Sequence, residues 1–413
     1  MKDKMNKISS SVKISISEIL KSFFTSKQAE QFYLYNRKNL QLDSEVNGQL
    51  KNQTVTNEYL NRTQIDFLVT FAEENISAEN YLNLLLYLSK YVTLNGEFTL
   101  AERLLELVVK YCHNKSLFNN FKANALLGLS EVHSRQANWY KSFSTATQAN
   151  KIFTSEKDLK GVVKCENLIG TNYGDRGNLK KAVKHFEKCI NLLEGQTDLE
   201  LRGRIEINLG IINNILGKFD IALANFNRAL ISYQRLQNHH RIAEVRHNLG
   251  MTCYKKGELE EAIAEFDQSI ALSLKVNYAQ LLGISYIGKA FVYIALDDIV
   301  MADSFSNKAM ELSLKLNDML SIAEVYRLKG LIQKKLQNFV LAKSYLLTSL
   351  RMNRELQNKM NEAETLSELG ILANENKNAA EAKNYFDKAL LYFQSIKADH
   401  EVSKITMRLS ECH

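Results

Sequence analysis

The segment that decides the fold is LGMTCYKKGELEEAIAEFDQSI, residues 249–270. Its apolar and small residues return at intervals of three, four and seven, which is the spacing of one face of an α-helix. Gly257 interrupts this pattern and ends the first of two amphipathic stretches. The segment therefore predicts a helix, a tight turn and a second helix.

Small residues recur every 40 positions along the chain, in two series with a constant offset of twelve. The first series is Gly170, Gly210, Gly250, Ala290, Gly330 and Gly370, and the second is Ala182, Ala222, Ala262, Ala302, Ala342 and Ala382. They lie where two helix backbones approach closely, so that a larger side chain would overpack the contact. A unit of this size buries its apolar face by stacking on its neighbours, which predicts a tandem repeat whose surface binds something.

The repeated unit resembles the tetratricopeptide repeat, with matches at Leu249, Gly250, Gly257, Ala262 and Phe266. The resemblance implies an all-α fold, a right-handed α-solenoid of about eight helix–turn–helix repeats preceded by a small N-terminal helical bundle. The phase of the pattern predicts the bundle over 1–78, the solenoid over 79–402 and a closing helix over 403–413.

Two features depart from the usual repeat, namely its 40-residue length and the complete absence of proline. Both make the chain similar to the long-repeat branch of the family, which includes adaptors that hold extended or helical peptides in a concave groove. The second helices are expected to run long and to stop at asparagines, which tolerate the left-handed backbone. These asparagines are Asn238, Asn277, Asn317 and Asn358.

Composition excludes several classes of protein. With 413 residues and 45% hydrophobic content the chain can bury a large core, which excludes disorder. It has no apolar run of the ~20 residues that span a bilayer and no apolar secretory core at its N-terminus. Five scattered cysteines indicate reduced thiols and a cytoplasmic location. The net charge of +7 is small for this length, and charged residues alternate in sign along the predicted helices. We therefore expect solvated faces and no nucleic-acid or membrane partner.

The sequence offers no enzymatic chemistry. The eight histidines and five cysteines show neither a His-Glu-x-x-His nor a Cys-x-x-Cys spacing. The glycines follow the repeat and do not cluster into a phosphate-binding loop. We therefore predict no catalytic residues, no metal and no cofactor.

The front of the chain does not follow the 40-residue period. Its runs 32–37, 58–62 and 67–71 resemble a bacterial effector-associated domain, a small helical domain of conflict and defence systems that is thought to pair with like domains on effector proteins. The resemblance implies a pairing surface at Arg37, Asn61 and Arg62. The alternative is that these three residues hold the front helices together by side-chain hydrogen bonds.

In the tetratricopeptide family the first helix of each repeat lines the concave side. The resemblance implies inner positions one after, four after, three before and six before each residue of the first series. The residues chosen there are mostly apolar, which predicts a groove for a protein or peptide: Ile211, His247, Met251, Tyr254, Ile284, Ile287, Phe291, Ile294, Arg327, Leu331 and Lys334. The alternative is that longer helices rotate this strip into the contacts between repeats.

Three functions fit these patterns. The leading hypothesis is an adaptor or sensor whose groove holds an amphipathic segment while the front domain recruits an effector with a similar domain. An alternative is a regulator that binds a small signalling peptide, which resembles bacterial peptide-pheromone receptors. A plain assembly scaffold is the third.

Overall fold

A computed structural model describes residues 15–36 and 60–412, and all regular structure among them is helical. Three helices stand at the front, α1 Ile16–Phe23, α2 Ser26–Asn36 and α3 Arg62–Asn75. Residues 37–59, between α2 and α3, lie outside the described residues, and they include Arg37 of the predicted pairing surface.

Helical pairs follow α3, and we call the first helix of each pair the A helix and the second the B helix. Their bounds are α4 Ala78–Leu94 with α5 Phe98–Tyr111, α6 Asn119–Arg135 with α7 Trp139–Ser155, α8 Leu159–Asp175 with α9 Leu179–Leu192, α10 Leu199–Ile215 with α11 Phe219–Arg235, α12 His239–Lys256 with α13 Leu259–Lys275, α14 Ala279–Ala295 with α15 Ile299–Leu316, α16 Met319–Lys335 with α17 Phe339–Glu355, and α18 Lys359–Glu375 with α19 Ala379–Ile396. A 3₁₀ turn, Ser116–Phe118, precedes α6, and the single helix α20, Asp399–Ser410, follows the last pair. The part of the chain that the structure describes is thus an all-α solenoid of consecutive helical pairs.

The small residues of the two series lie between the helices of a pair, as predicted. A Cβ atom at Gly210 would lie 2.5 Å from Cε1 of Phe226, and one at Gly250 would lie 2.9 Å from Cε1 of Phe266. Ala222 and its equivalents in the second series are fully buried. The A and B helices therefore pack at a distance that only the smallest side chains allow.

The ends of the B helices are only partly as predicted. Asn277 and Asn317 have the expected left-handed backbone, with φ of 55° and 51°. Asn238 and Asn358 instead cap the following A helices, because each side chain accepts a backbone hydrogen bond three residues on. At those two junctions the left-handed residue is the preceding glutamine.

The chain divides into two compact units, unit 1 over Met1–Asn172 and unit 2 over Tyr173–His413, with the division inside α8. In unit 1 one apolar cluster runs from Ile16 in α1 to Cys165 in α8. Phe23 of α1 packs against Tyr87 of α4 with ring centroids 5.5 Å apart. The front helices thus share a core with the first repeats, and the predicted domain limits stay predictions.

Candidate functional site

Aromatic and charged side chains meet on four consecutive A helices of unit 2, namely α12, α14, α16 and α18. The ring of Tyr254 stacks on that of Phe291, with centroids 6.1 Å apart. The guanidinium of Arg327 lies over Phe291, 4.6 Å from the ring centroid, which is cation–π geometry. We call Tyr254, Lys255, Phe291, Glu324, Arg327 and Glu364 the inner cluster.

Ion pairs tie the inner cluster together. Arg327 pairs with Glu324 on its own helix and with Glu364 on α18, whose Oε2 lies 3.0 Å from Nη2. Nζ of Lys255 on α12 lies 3.8 Å from Oε1 of Glu364. The side chain of Arg327 is only 11% exposed and that of Glu324 only 14%, so these charges are poorly solvated and depend on one another.

The surroundings of Glu364 and Tyr254 move their pKa values in opposite directions. Burial raises the pKa of Glu364, but the cations of Arg327, Lys255 and Lys404 outweigh burial and leave the pKa below its usual value. Burial raises the pKa of the Tyr254 phenol to about 12, assisted by nearby carboxylates and opposed by Arg327. The site therefore offers a neutral phenol donor at Tyr254, an ionised carboxylate at Glu364 and a guanidinium beside an aromatic ring.

The expected exposure of the apolar strip is wrong. Ile287, Phe291, Ile294 and Leu331 are between 4% and 8% exposed. The physical reason is that Tyr254 and Arg327 contact Phe291 directly, while these four side chains share an apolar cluster with neighbours such as Phe305. That these residues contact a ligand stays a prediction.

The other predicted groove residues differ in their exposure and partners. Ile211 is 38% exposed, whereas Met251 and Ile284 are half-buried. Lys334 pairs with Glu368 of the next A helix at 3.4 Å. None of these residues is among the inner-cluster contacts described above.

His247 lies in the wall between repeats. Its Nδ1 is 3.2 Å from Oγ of Ser285, and its ring packs 5.6 Å from that of Phe266. Burial lowers the pKa of His247 to about 4. A neutral imidazole that is packed in this way holds two A helices together.

Sequence reasoning missed Glu324, Glu364 and Lys255. Glu324 and Glu364 lie six residues before Gly330 and Gly370, and this spacing is one of the inner positions. The prediction rested on apolar residues at these positions and so did not include the two carboxylates. Lys255 follows Tyr254 and lies outside those positions. The signal for the two carboxylates was therefore present in the repeat register.

In the front helices, Asn61 has a structural role. Its side chain accepts a hydrogen bond from the backbone N–H of Gln64 at 2.9 Å, and the Gln64 side chain accepts one from the Asn61 N–H at 3.0 Å. This reciprocal pair is a capping box at the start of α3. Arg62 is exposed beside it, so the pairing surface predicted for these residues stays a prediction.

Over residues 15–36 and 60–412, no three His, Cys, Asp or Glu side chains are grouped so that they could hold a metal ion. Within the same ranges no helix combines the length and apolarity needed to cross a bilayer. All five cysteines lie within the described residues as free thiols, and Cys112, Cys165, Cys189 and Cys253 are buried.

Comparison with known proteins identifies the repeats. Models of the family described as Tetratricopeptide repeat match residues 201–275 and 167–192. The regulatory protein RapF of Bacillus subtilis (strain 168) is 28% identical over 94 residues, 22% of this chain and 25% of RapF. The chain thus spans about a quarter of the length of that curated relative.

Two solved structures share the fold over most of the chain. The apo form of the quorum sensor NprR from B. thuringiensis is 14% identical, with 91% of this chain and 99% of NprR covered and a TM-score of 0.59. The Rap conjugation gene regulator of the plasmid pLS20, solved in complex with the Phr* peptide, is 15% identical, with 83% and 89% covered and a TM-score of 0.54. At these identities the likeness shows the fold alone.

Proposed function

We propose that this chain is a regulator that binds a short signalling peptide at the inner cluster of unit 2. The observation that carries the proposal is the Tyr254–Phe291–Arg327 stack, in which Arg327 pairs with Glu324 and Glu364 on inner positions. Such a site joins an aromatic surface for side chains with a few fixed polar groups for the peptide backbone and its charges. The fold shared with a peptide-bound regulator supports the same conclusion.

A short peptide suits this site better than the long amphipathic segment of the adaptor hypothesis. A long helix needs a continuous exposed apolar strip. Here four residues of that strip are buried, and the Arg327 guanidinium lies over Phe291. Binding of a signalling peptide is therefore the main proposal. The hypothesis of a plain scaffold does not explain the buried charges of the inner cluster.

Affinity selection tests the proposal. The immobilised full-length chain is incubated with a randomised synthetic pool of short linear peptides, and retained peptides are identified by mass spectrometry. We expect a family of related sequences to be enriched. A retained set indistinguishable from the input pool contradicts peptide binding.

A pair of matched variants locates the site. Glu324→Gln removes a carboxylate of the inner cluster, and we expect it to weaken binding of an enriched peptide about tenfold, or 1.4 kcal/mol. Glu362→Gln is the control, because its side chain is equally exposed at 14% but pairs with Arg354 and Lys359 outside the cluster. Equal dissociation constants for the two variants, measured by calorimetry, contradict the assigned site.

A second candidate function is recruitment of a like domain by the front helices. Exposed Leu34 and Tyr35, 71% and 83% accessible on α2, favour a contact surface there. In this proposal the front helices are an effector-associated domain, with Arg37 soon after Tyr35 in sequence and Arg62 at the start of α3. Self-association of the full chain, lost in Leu34→Asp, is the expected result in analytical ultracentrifugation, and a monomer at all concentrations contradicts it.

A further inference from the structure

The last helix of unit 2 contacts a turn that is separated from it in sequence by four helical pairs. His400 in the first turn of α20 packs against the turn between α10 and α11, where its ring meets that of Phe219 edge-on with centroids 5.2 Å apart. A Cβ atom at Gly217 would lie 2.5 Å from Cβ of His400. The two backbones approach so closely that no side chain fits at position 217.

A second contact of the same kind lies one repeat earlier. Gly177 lies in the turn between α8 and α9, and a Cβ atom there would lie 2.6 Å from Cγ2 of Ile396, the final residue of α19. Ile396 is buried, with 6% exposure. We call the group of Gly177, Gly217, Phe219, Ile396 and His400 the closure contact, because it closes unit 2 on itself.

The two glycines are required by this contact rather than by the turn. Gly177 and Gly217 have φ of 75° and 74°, but the equivalent turns after α14 and α18 hold Asp297 and Lys377 at 63° and 59°. Gly257 has the same position in its own repeat, and a Cβ atom there would meet nothing within 4 Å. The turn therefore tolerates a side chain, whereas the closure contact does not.

The closure contact bears on access to the inner cluster. Lys255 at the end of α12 reaches Glu364 on α18, and α18 is the A helix of the pair whose B helix, α19, carries Ile396 of the closure contact. Lys404 of α20 contributes to the lowered pKa of Glu364, which places the closing helix within electrostatic range of the cluster. Phe291 is only 4% exposed beneath Tyr254 and Arg327, so a ligand reaches its ring only when these side chains move.

We propose that the closure contact is an autoinhibitory latch, and that unit 2 must open between α20 and the α8–α9 and α10–α11 turns before a peptide reaches the inner cluster. The coupling to a ligand rests on the proposed function; the latch does not. If only the open form binds, the apparent affinity equals the intrinsic affinity multiplied by the fraction of open molecules. Weakening the latch then strengthens binding.

Hydrogen–deuterium exchange of the ligand-free full chain tests the latch. In Gly217→Ala the new methyl group strikes His400, so amide exchange over 399–410 should rise about tenfold or more. Gly177→Ala should do the same through Ile396. Gly257→Ala is the control, since it introduces the same change at the same turn position without a contact, and it should leave exchange over 399–410 unchanged.

Far-UV circular dichroism verifies that each variant is folded, and either latch variant suffices for the test. Unchanged exchange over 399–410 in a folded latch variant overturns the latch, as does an equal rise in Gly257→Ala.

A peptide enriched in the selection described above should bind Gly217→Ala at least threefold more tightly than the wild type. Equal or weaker binding overturns the coupling, whereas failure of the selection bears only on the proposed function.

Discussion

Arg327 is the residue of the inner cluster that contacts both an aromatic ring and two carboxylates of the cluster. Its guanidinium contacts the Phe291 ring and the carboxylates of Glu324 and Glu364 while remaining 11% exposed. Burial disfavours the cation, yet the carboxylates outweigh burial and raise the pKa of Arg327. The charge is thus retained inside the unit, and removing it leaves two carboxylates without their main partner.

Replacing Arg327 should therefore destabilise the protein. We expect Arg327→Met to lower the free energy of unfolding by about 3 kcal/mol, because breaking a buried ion pair leaves uncompensated charge. Lys315→Met is the control, since Lys315 and its partner Glu311 are both 67% exposed and such surface pairs contribute little. Urea unfolding measures both, and equal midpoints for the two variants contradict the buried network.

His247 should make stability depend on pH. Its pKa is lowered to about 4 in the folded protein and is about 6.5 in an unfolded chain. The unfolded state therefore binds more protons between these values, and stability falls as pH drops from 6.5 toward 4, by up to about 3 kcal/mol. His247→Gln should remove that part of the slope in urea titrations at several pH values, and an unchanged slope contradicts the assignment.

At the level of elements, the distance between the A and B helices of a pair is fixed by the small residue on the A helix. Phe226 is 1% exposed and cannot move away from Gly210, whereas Gly283 on α14 would place a Cβ atom no closer than 3.8 Å to Leu312. The two glycines share helical backbone but differ in the space around them. Comparing alanine substitutions at Gly210 and Gly283 therefore distinguishes the effect of packing on stability from the effect of helix propensity.

Alanine at these two sites should have opposite effects. Gly210→Ala overpacks the contact with Phe226 and should cost about 1–3 kcal/mol. Gly283→Ala has room for its methyl group and should stabilise by about 0.5–1 kcal/mol through better helix propensity. Melting temperatures that shift in the same direction contradict this account of the repeat.

The cap of α3 gives a test at the front of the chain. Asn61→Ala should lower stability by about 1 kcal/mol because it removes the capping hydrogen bond, and Asn61→Asp should preserve it. Arg62→Ala should be neutral for stability, since the residue is exposed. Thermal unfolding distinguishes the three, and identical melting temperatures contradict the capping role.

On the scale of the whole molecule, the repeat register could be predicted from sequence because it recurs within every 40 residues. The same register placed Tyr254, Phe291 and Arg327 on one surface, and the structure brings these three together. The sequence left their burial open as one of two alternatives, since burial depends on contacts between A helices and on ion pairs that reach across three repeats. The approach of His400 to Gly217 likewise joins residues that no single repeat relates.

The central claim is that the inner cluster binds a peptide, and photo-crosslinking tests it most directly. p-Azidophenylalanine, close to tyrosine in size, replaces Tyr254 in one full-length chain and Val300, which is 81% exposed on α15, in another. After illumination with a peptide from the affinity selection, we expect mass spectrometry to find the peptide bonded to position 254 and not to position 300. Cross-linking at position 300 with none at position 254 would contradict the account.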